Sequence, residues 1–187
     1  MSFFDSPENV ADYIRLADGY DGRELIENLK KYVAPGSRIL ELGMGPGKDL
    51  DILNETFKTT GSDSSKVFLD LYREQHPDAD LLQIDAIKMT TTRSFDCIYS
   101  NKVLHHLTRD ELKQSFARQS DILSDNGILF HSFWFGDKEE EHIGLRFVYY
   151  TKGTLLETIG DSFEILKIEQ YSEMDDDDSF YVVLKKN

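Results

Sequence analysis

The chain has 187 residues, with 21 Lys plus Arg against 35 Asp plus Glu and a formal net charge of −14. That length suits one domain with a sizeable core, and the acidic balance opposes binding driven by counterion release from nucleic-acid phosphates. The lone Cys97 excludes an intramolecular disulfide and suits a reducing compartment, and no metal-type Cys/His cluster is visible.

The opening Met-Ser-Phe-Phe-Asp-Ser-Pro-Glu has neither the basic region nor the apolar stretch of a secretory leader. No run approaches membrane-spanning length, so a cytoplasmic protein without membrane attachment is expected. Phe3 to Tyr32 reads as helical, making residues 1–35 an N-terminal helical cap on a core of residues 36–187. Arg38-Ile-Leu-Glu-Leu-Gly-Met-Gly-Pro-Gly-Lys-Asp-Leu50 then joins an apolar strand to a helix through Gly43, Gly45 and Gly47. Glycines there let the backbone turn sharply and approach a ligand without a Cβ in the way.

The spacing discriminates among nucleotides. A dinucleotide loop, Gly-x-Gly-x-x-Gly, would put its third glycine at Lys48, and Glu41 stands where a carboxylate repels a pyrophosphate. A P-loop would need glycine at Leu42 and Ser or Thr at Asp49. A ligand with an adenosine but no phosphate remains.

Further along, residues 57–62 read as a strand ending in Asp63, with Ser64 capping the next helix, and residues 80–84 as a strand before Asp85 and Ala86. Residues 95–100 form a fourth strand ending in Ser100, followed by Asn101-Lys-Val-Leu-His105-His106-Leu107. Thr108 to Glu111 is a capping box for a helix with Leu112, Phe116, Ile122 and Leu123 on its buried face, ending at Asn126-Gly127. A fifth strand covers 127–134, and Asp137 to Glu141, followed by His142, reads as an exposed turn. A helix over Thr151 to Ile159 precedes an antiparallel hairpin, Phe163 to Tyr171 and Ser179 to Leu184, joined by a solvated Asp run. Strands alternating with helices make this an α/β chain with a parallel sheet covered on both faces.

These segments, over roughly residues 36 to 135, resemble the four ordered motifs of the class I S-adenosylmethionine-dependent methyltransferases. The resemblance implies a Rossmann-like three-layer sandwich, with a seven-stranded, mostly parallel sheet whose last strand is reversed. It also implies S-adenosylmethionine as cofactor, bound by Glu41, Gly43, Gly45, Gly47, Asp63, Asp85, Ala86 and Ser100. In the family the acid at Asp63 takes the ribose hydroxyls and the one at Asp85 the adenine amine. A carboxylate can accept both hydroxyls of a diol, and a sulfonium tolerates an acidic surround. With no Asp/Asn-Pro-Pro-aromatic motif after the fourth strand, the Ser100 to Leu107 stretch is similar instead to the small-molecule, quinone-biosynthesis-like branch.

Open α/β sheets bind ligands beyond the C-terminal strand ends. Cover must therefore come from the N-terminal segment, offering Tyr13 and Tyr20, and from the link after the fifth strand, offering Trp134, Arg146 and Tyr150. These are the candidate acceptor-binding residues, Arg146 for an anionic group. His105, His106 and His131 are candidate bases, worth roughly 10²–10⁴-fold where the acceptor must lose a proton. Two other readings stand beside a methyltransferase of small molecules: a nicotinamide-dependent oxidoreductase, and a non-catalytic module for cofactor sensing or partner binding.

Overall fold

A computed structural model describes residues 3–142 and 144–187. Apolar runs with strand periodicity pair into a seven-stranded sheet: β1 (Arg38–Leu42), β2 (Lys58–Asp63), β3 (Leu81–Gln83), β4 (Phe95–Asn101), β5 (Leu123–Trp134) and, numbered after the hairpin below, β8 (Phe163–Tyr171) and β9 (Ser179–Lys186). The order β3-β2-β1-β4-β5-β9-β8 is parallel through β5, and β9 runs antiparallel to both its neighbours. The expected Rossmann-like sandwich with a C-terminal antiparallel hairpin is present.

Alternation along β1 divides the core. Leu40 and Leu42 join Phe116, Leu112 and Leu155 of α5 (Arg109–Ile122) and α6 (Lys152–Ile159) on one face. Ile39 joins Leu25, Ile26 and Leu29 of α2 (Arg23–Leu29) and Ile52 and Leu53 of α3 (Lys48–Asn54) on the other. A small cluster of Met44, Leu50, Leu69 and Tyr72 packs α4 (Lys66–Gln75) against α3. Of the expected N-terminal cap, α2 is thus a core helix, while the Phe3–Asp5 turn and α1 (Pro7–Leu16) pack against α4.

Local signals were shifted in three places. Ser65, not Ser64, caps α4, its hydroxyl accepting from the Phe68 amide. The capping box at Thr108 and Glu111 forms, but α5 stops at Ile122 because Leu123 already pairs with Phe95 of β4. The stretch expected as an exposed turn at Asp137–Glu141 and His142 instead forms strand β6 (Glu139–His142), paired antiparallel with β7 (Leu145–Val148). Its side chains remain exposed, so it has no buried face to give a strand pattern. Among the described residues no helix is long and apolar enough to cross a membrane.

Phe130 stacks on Tyr181 at 4.9 Å and lies 5.9 Å from Tyr99, knitting β5 to β9 and β4. Phe130→Ala should therefore cost about 3–5 kcal/mol in denaturant unfolding. A loss below about 1 kcal/mol would show that this ring ladder does not hold the sheet together.

Candidate cofactor and acceptor site

The loop after β1 is fastened from β2. Gly45 N–H donates to Asp63 Oδ2 at 3.0 Å, Ser65 N–H donates to Asp63 Oδ1 at 2.8 Å, and Met44 N–H donates to the Ser62 carbonyl at 2.8 Å. The glycines differ in task. A Cβ on Gly43 would lie 2.6 Å from Val103, and one on Gly47 2.3 Å from the Tyr72 ring. At Gly45, held at φ 50°, the nearest atom would be Tyr13 Cε1 at 3.9 Å, across open space.

That open space belongs to two cavities. One, of about 240 Å³, is lined by Asp63, Asp85, Ala86, Ile87, Phe4 and Phe68 among others. The second, of about 350 Å³, is lined by Tyr20, Glu41, Asp49, His105, Trp134 and Phe147 among others. Gly43, Gly45, Tyr13, Asn101, Lys102 and His106 line both, so the two meet at the glycine turn. The β6–β7 hairpin closes over this junction: Leu145 lines both cavities, and Phe147 stacks 5.2 Å from His105.

Carboxylates dominate the second cavity. Asp49 accepts from Gly22 N–H at 2.6 Å, Tyr99 OH at 2.8 Å and Asn101 Nδ2 at 3.1 Å, and burial still raises its pKa. Glu41 is 3% exposed, and its Oε2 has no hydrogen-bond partner among the described residues. Burial first, then repulsion from Asp49 and Asp63, pushes its pKa well above the carboxylate range. Such a group is satisfied by a bound donor or cation.

The expected site residues divide. Glu41, Gly43, Gly45, Asp63, Asp85, Ala86, Tyr13, Tyr20, Trp134, His105 and His106 all line the cavities. Asp85 Oδ1 also accepts from the Ile87 and Lys88 amides, the turn role its position after a strand permits. Gly47 lines neither cavity and serves the packing of Tyr72. Tyr150 is wholly buried against Phe133, and Arg146 faces outward, its guanidinium 3.9 Å from Glu139.

Ser100 and His131 line neither cavity. Both are fully buried, in a chain of hydrogen bonds under the sheet. His131 Nε2–H donates to Gln119 Oε1 at 2.7 Å, so Nδ1 accepts from the Ser100 hydroxyl at 2.8 Å. Gln119 Nε2 donates to Ser115 Oγ at 3.0 Å, and Ser115 donates to the Ala86 carbonyl at 2.7 Å. His131 is therefore a strut that supports the loop carrying Ala86.

The other two histidines differ sharply. His105 is 2% exposed with neither ring nitrogen partnered among the described residues, and burial drives its pKa well down. His106 Nδ1–H donates to the Arg146 carbonyl of β7 at 2.6 Å, which fixes the tautomer and makes Nε2 the acceptor nitrogen. Its pKa is lowered by burial, partly offset by that bond, so the neutral form is favoured.

Lys102, Asn101, Asp49 and Glu173 were not anticipated from sequence. Lys102, at φ 53°, donates from Nζ to Glu173, to Ser179 Oγ at 2.8 Å and to Tyr171 OH at 3.3 Å, and lies 3.7 Å from the Trp134 ring centroid. Its position next to the fourth-strand end was the available signal.

Residues 39–127 match the family profile described as a methyltransferase domain. An uncharacterized methyltransferase of Oceanobacillus iheyensis is 28% identical over 134 residues, 69% of this chain and 60% of that protein. The chain thus spans less than two thirds of that relative's length. Among solved structures, an S-adenosylmethionine-dependent methyltransferase from Clostridium acetobutylicum has a TM-score of 0.76 at 15% identity, covering 96% of this chain and 97% of that one. The N-methyltransferase NodS from Bradyrhizobium japonicum, solved with S-adenosyl-L-homocysteine, has a TM-score of 0.69 at 16% identity, covering 92% and 90%. These likenesses establish a shared fold.

Burial lowers the His131 pKa from 6.5 to about 3. The unfolded chain therefore binds the proton first, and this contribution to stability is present above pH 6.5 and lost as pH falls toward 3. His131→Leu should flatten that part of the stability-versus-pH curve and, by stranding Gln119 and Ser100, cost about 2–4 kcal/mol near neutral pH. An unchanged acid limb in urea unfolding would show that His131 titrates freely.

Proposed function

We propose that this chain is a cytoplasmic S-adenosylmethionine-dependent methyltransferase acting on a small-molecule acceptor. The observation that carries the reading is the meeting of two cavities at a glycine turn whose Gly45 face is bare, beside the unpartnered Glu41 carboxylate. The family match over residues 39–127 supports it, as does the fold shared with cofactor-bound relatives. The Ser100 to Leu107 stretch supports the small-molecule, quinone-biosynthesis-like branch within that class, and the net charge of −14 supports an acceptor other than nucleic acid.

The residues present fit the cofactor. Asp63 would accept the ribose hydroxyls while its backbone donors keep it in place, and Asp85 would accept from the adenine amine over Ala86 and Ile87. Glu41 and Asp49 would face the cationic methionine end. When bound, the cofactor supplies an already activated methyl group, so the protein mainly aligns the acceptor and excludes water. Positioning of that kind is worth ~7–11 kcal/mol in well-oriented systems. Tyr13, Tyr20 and Trp134 would wall the acceptor, and His106 Nε2 is the nitrogen free to take its proton.

Against a nicotinamide enzyme stand Glu41 and the glycine at 47 rather than 48, both unfavourable to a pyrophosphate. Against a non-catalytic module stands the open second cavity bounded by Trp134 and Phe147.

In calorimetry, Asp63→Ala should weaken S-adenosylhomocysteine binding by about 1.5–3 kcal/mol. Gly45→Val should abolish binding while the protein still unfolds cooperatively. Unchanged affinity in both variants, or a response to NAD in the wild type, would defeat the assignment.

A further inference from the structure

The second cavity has an unusual charge inventory for a chamber that must hold an acceptor. Asp21, Asp49 and Glu173 line it together with the buried Glu41 carboxyl, against Lys48 and Lys102. Both lysines are already committed. Lys48 Nζ donates to the Ala17 carbonyl at 3.0 Å and to Asp18 at 3.3 Å, and Lys102 Nζ is held by Glu173, Ser179 and Tyr171. Arg146, expected to hold an anion, points away toward Glu139. A carboxylate or phosphate entering here would be desolvated without a free cation to meet it.

A cation meets the opposite reception. The wall already accommodates one: the Lys102 ammonium lies 3.7 Å from the centroid of Trp134 and 5.2 Å from that of Tyr171. Ring faces favour ammonium groups when water is excluded. Independently of the acids, neither ring nitrogen of the buried His105 has a partner among the described residues, so its neutral ring offers one unused acceptor. His106, whose Nδ1 is taken by the Arg146 carbonyl, lines both cavities.

We infer that the acceptor is an amine, entering this chamber as its ammonium cation beside Phe147, with Asp21 and the unpartnered His105 as the acceptors left to meet it. This rests on the methyltransferase reading and narrows its substrate class. To become a nucleophile the ammonium loses one proton: an N–H bond breaks, its electron pair stays on nitrogen, and the proton passes to His106 Nε2. The resulting imidazolium returns the proton to solvent. His106 shares the second cavity with His105, Lys102, Glu173 and His142 and the first with Asp63 and Asp85, and its ring touches that of His105 and the Arg146 carbonyl.

The test uses two probes with one ring and opposite charge, phenethylamine and phenylpropionate, titrated by ligand-observed NMR into the protein with and without S-adenosylhomocysteine. The ammonium probe should bind at least about tenfold more tightly, and its advantage should shrink as salt rises. Glu173→Gln, which strips Lys102 of its counter-charge, should shift the preference toward phenylpropionate. Equal affinities, a preference for the carboxylate in the wild type, or no saturable binding of either probe would overturn the inference. Calorimetry of S-adenosylhomocysteine on the same samples separates the two readings. Lost cofactor binding with retained ammonium preference condemns the methyltransferase assignment alone, and the reverse condemns only the amine.

Discussion

The carboxylate of Asp63 is the fastening on which the site depends. Standing at the end of β2, it accepts one backbone N–H from the glycine loop and another from the start of α4. Ser65, whose amide it holds, caps α4 and donates its hydroxyl to the Phe4 carbonyl, so the N-terminal segment hangs from the same place. Three stretches distant in sequence thereby acquire fixed positions around one buried charge. Burial raises the pKa of that charge and the backbone donors pull it back, so the carboxylate is retained by bonds that also shape the loop. Ligand recognition and loop geometry cannot be separated at this residue.

Electrostatic division of labour follows from the same economy of donors. Asp49 is satisfied by three protein donors, whereas Glu41 is buried with an oxygen left over. One acid therefore belongs to the architecture, tying α3 to β4 and to the Gly22 turn, and the other belongs to whatever fills the cavity. Histidines divide in the same manner. His131 is consumed by Ser100 and Gln119, while a single carbonyl from the hairpin orients His106, which lines both cavities.

Much of this was legible because its signals are local. A strand, an acid and three glycines within a few residues announce the loop, and acids directly after strands announce Asp63 and Asp85. What escaped depends on partners far away in the chain. Lys102 and Glu173 are 71 residues apart and meet only because β9 lies between β5 and β8. Strand alternation could assign His131 to a face but could not reveal that Gln119 and Ser100 would be waiting there. Tyr150 and Arg146 lie off the cavities for a related reason: composition shows an aromatic, cationic link, but the register of a hairpin with no apolar alternation determines which side chains turn inward. The Ser64 and Ser65 exchange is smaller, since either serine suits a helix N-cap and the Asp63 turn decides between them.

Amide chemical-shift mapping on isotope-labelled protein, titrated with S-adenosylhomocysteine, tests the account most directly. The largest changes should fall on Gly43, Gly45, Asp63 and the Asp85 to Ile87 turn. Changes centred instead on the hollow at the opposite strand ends, around Thr59, Asp80 and Arg93, or no saturable change anywhere, would contradict it.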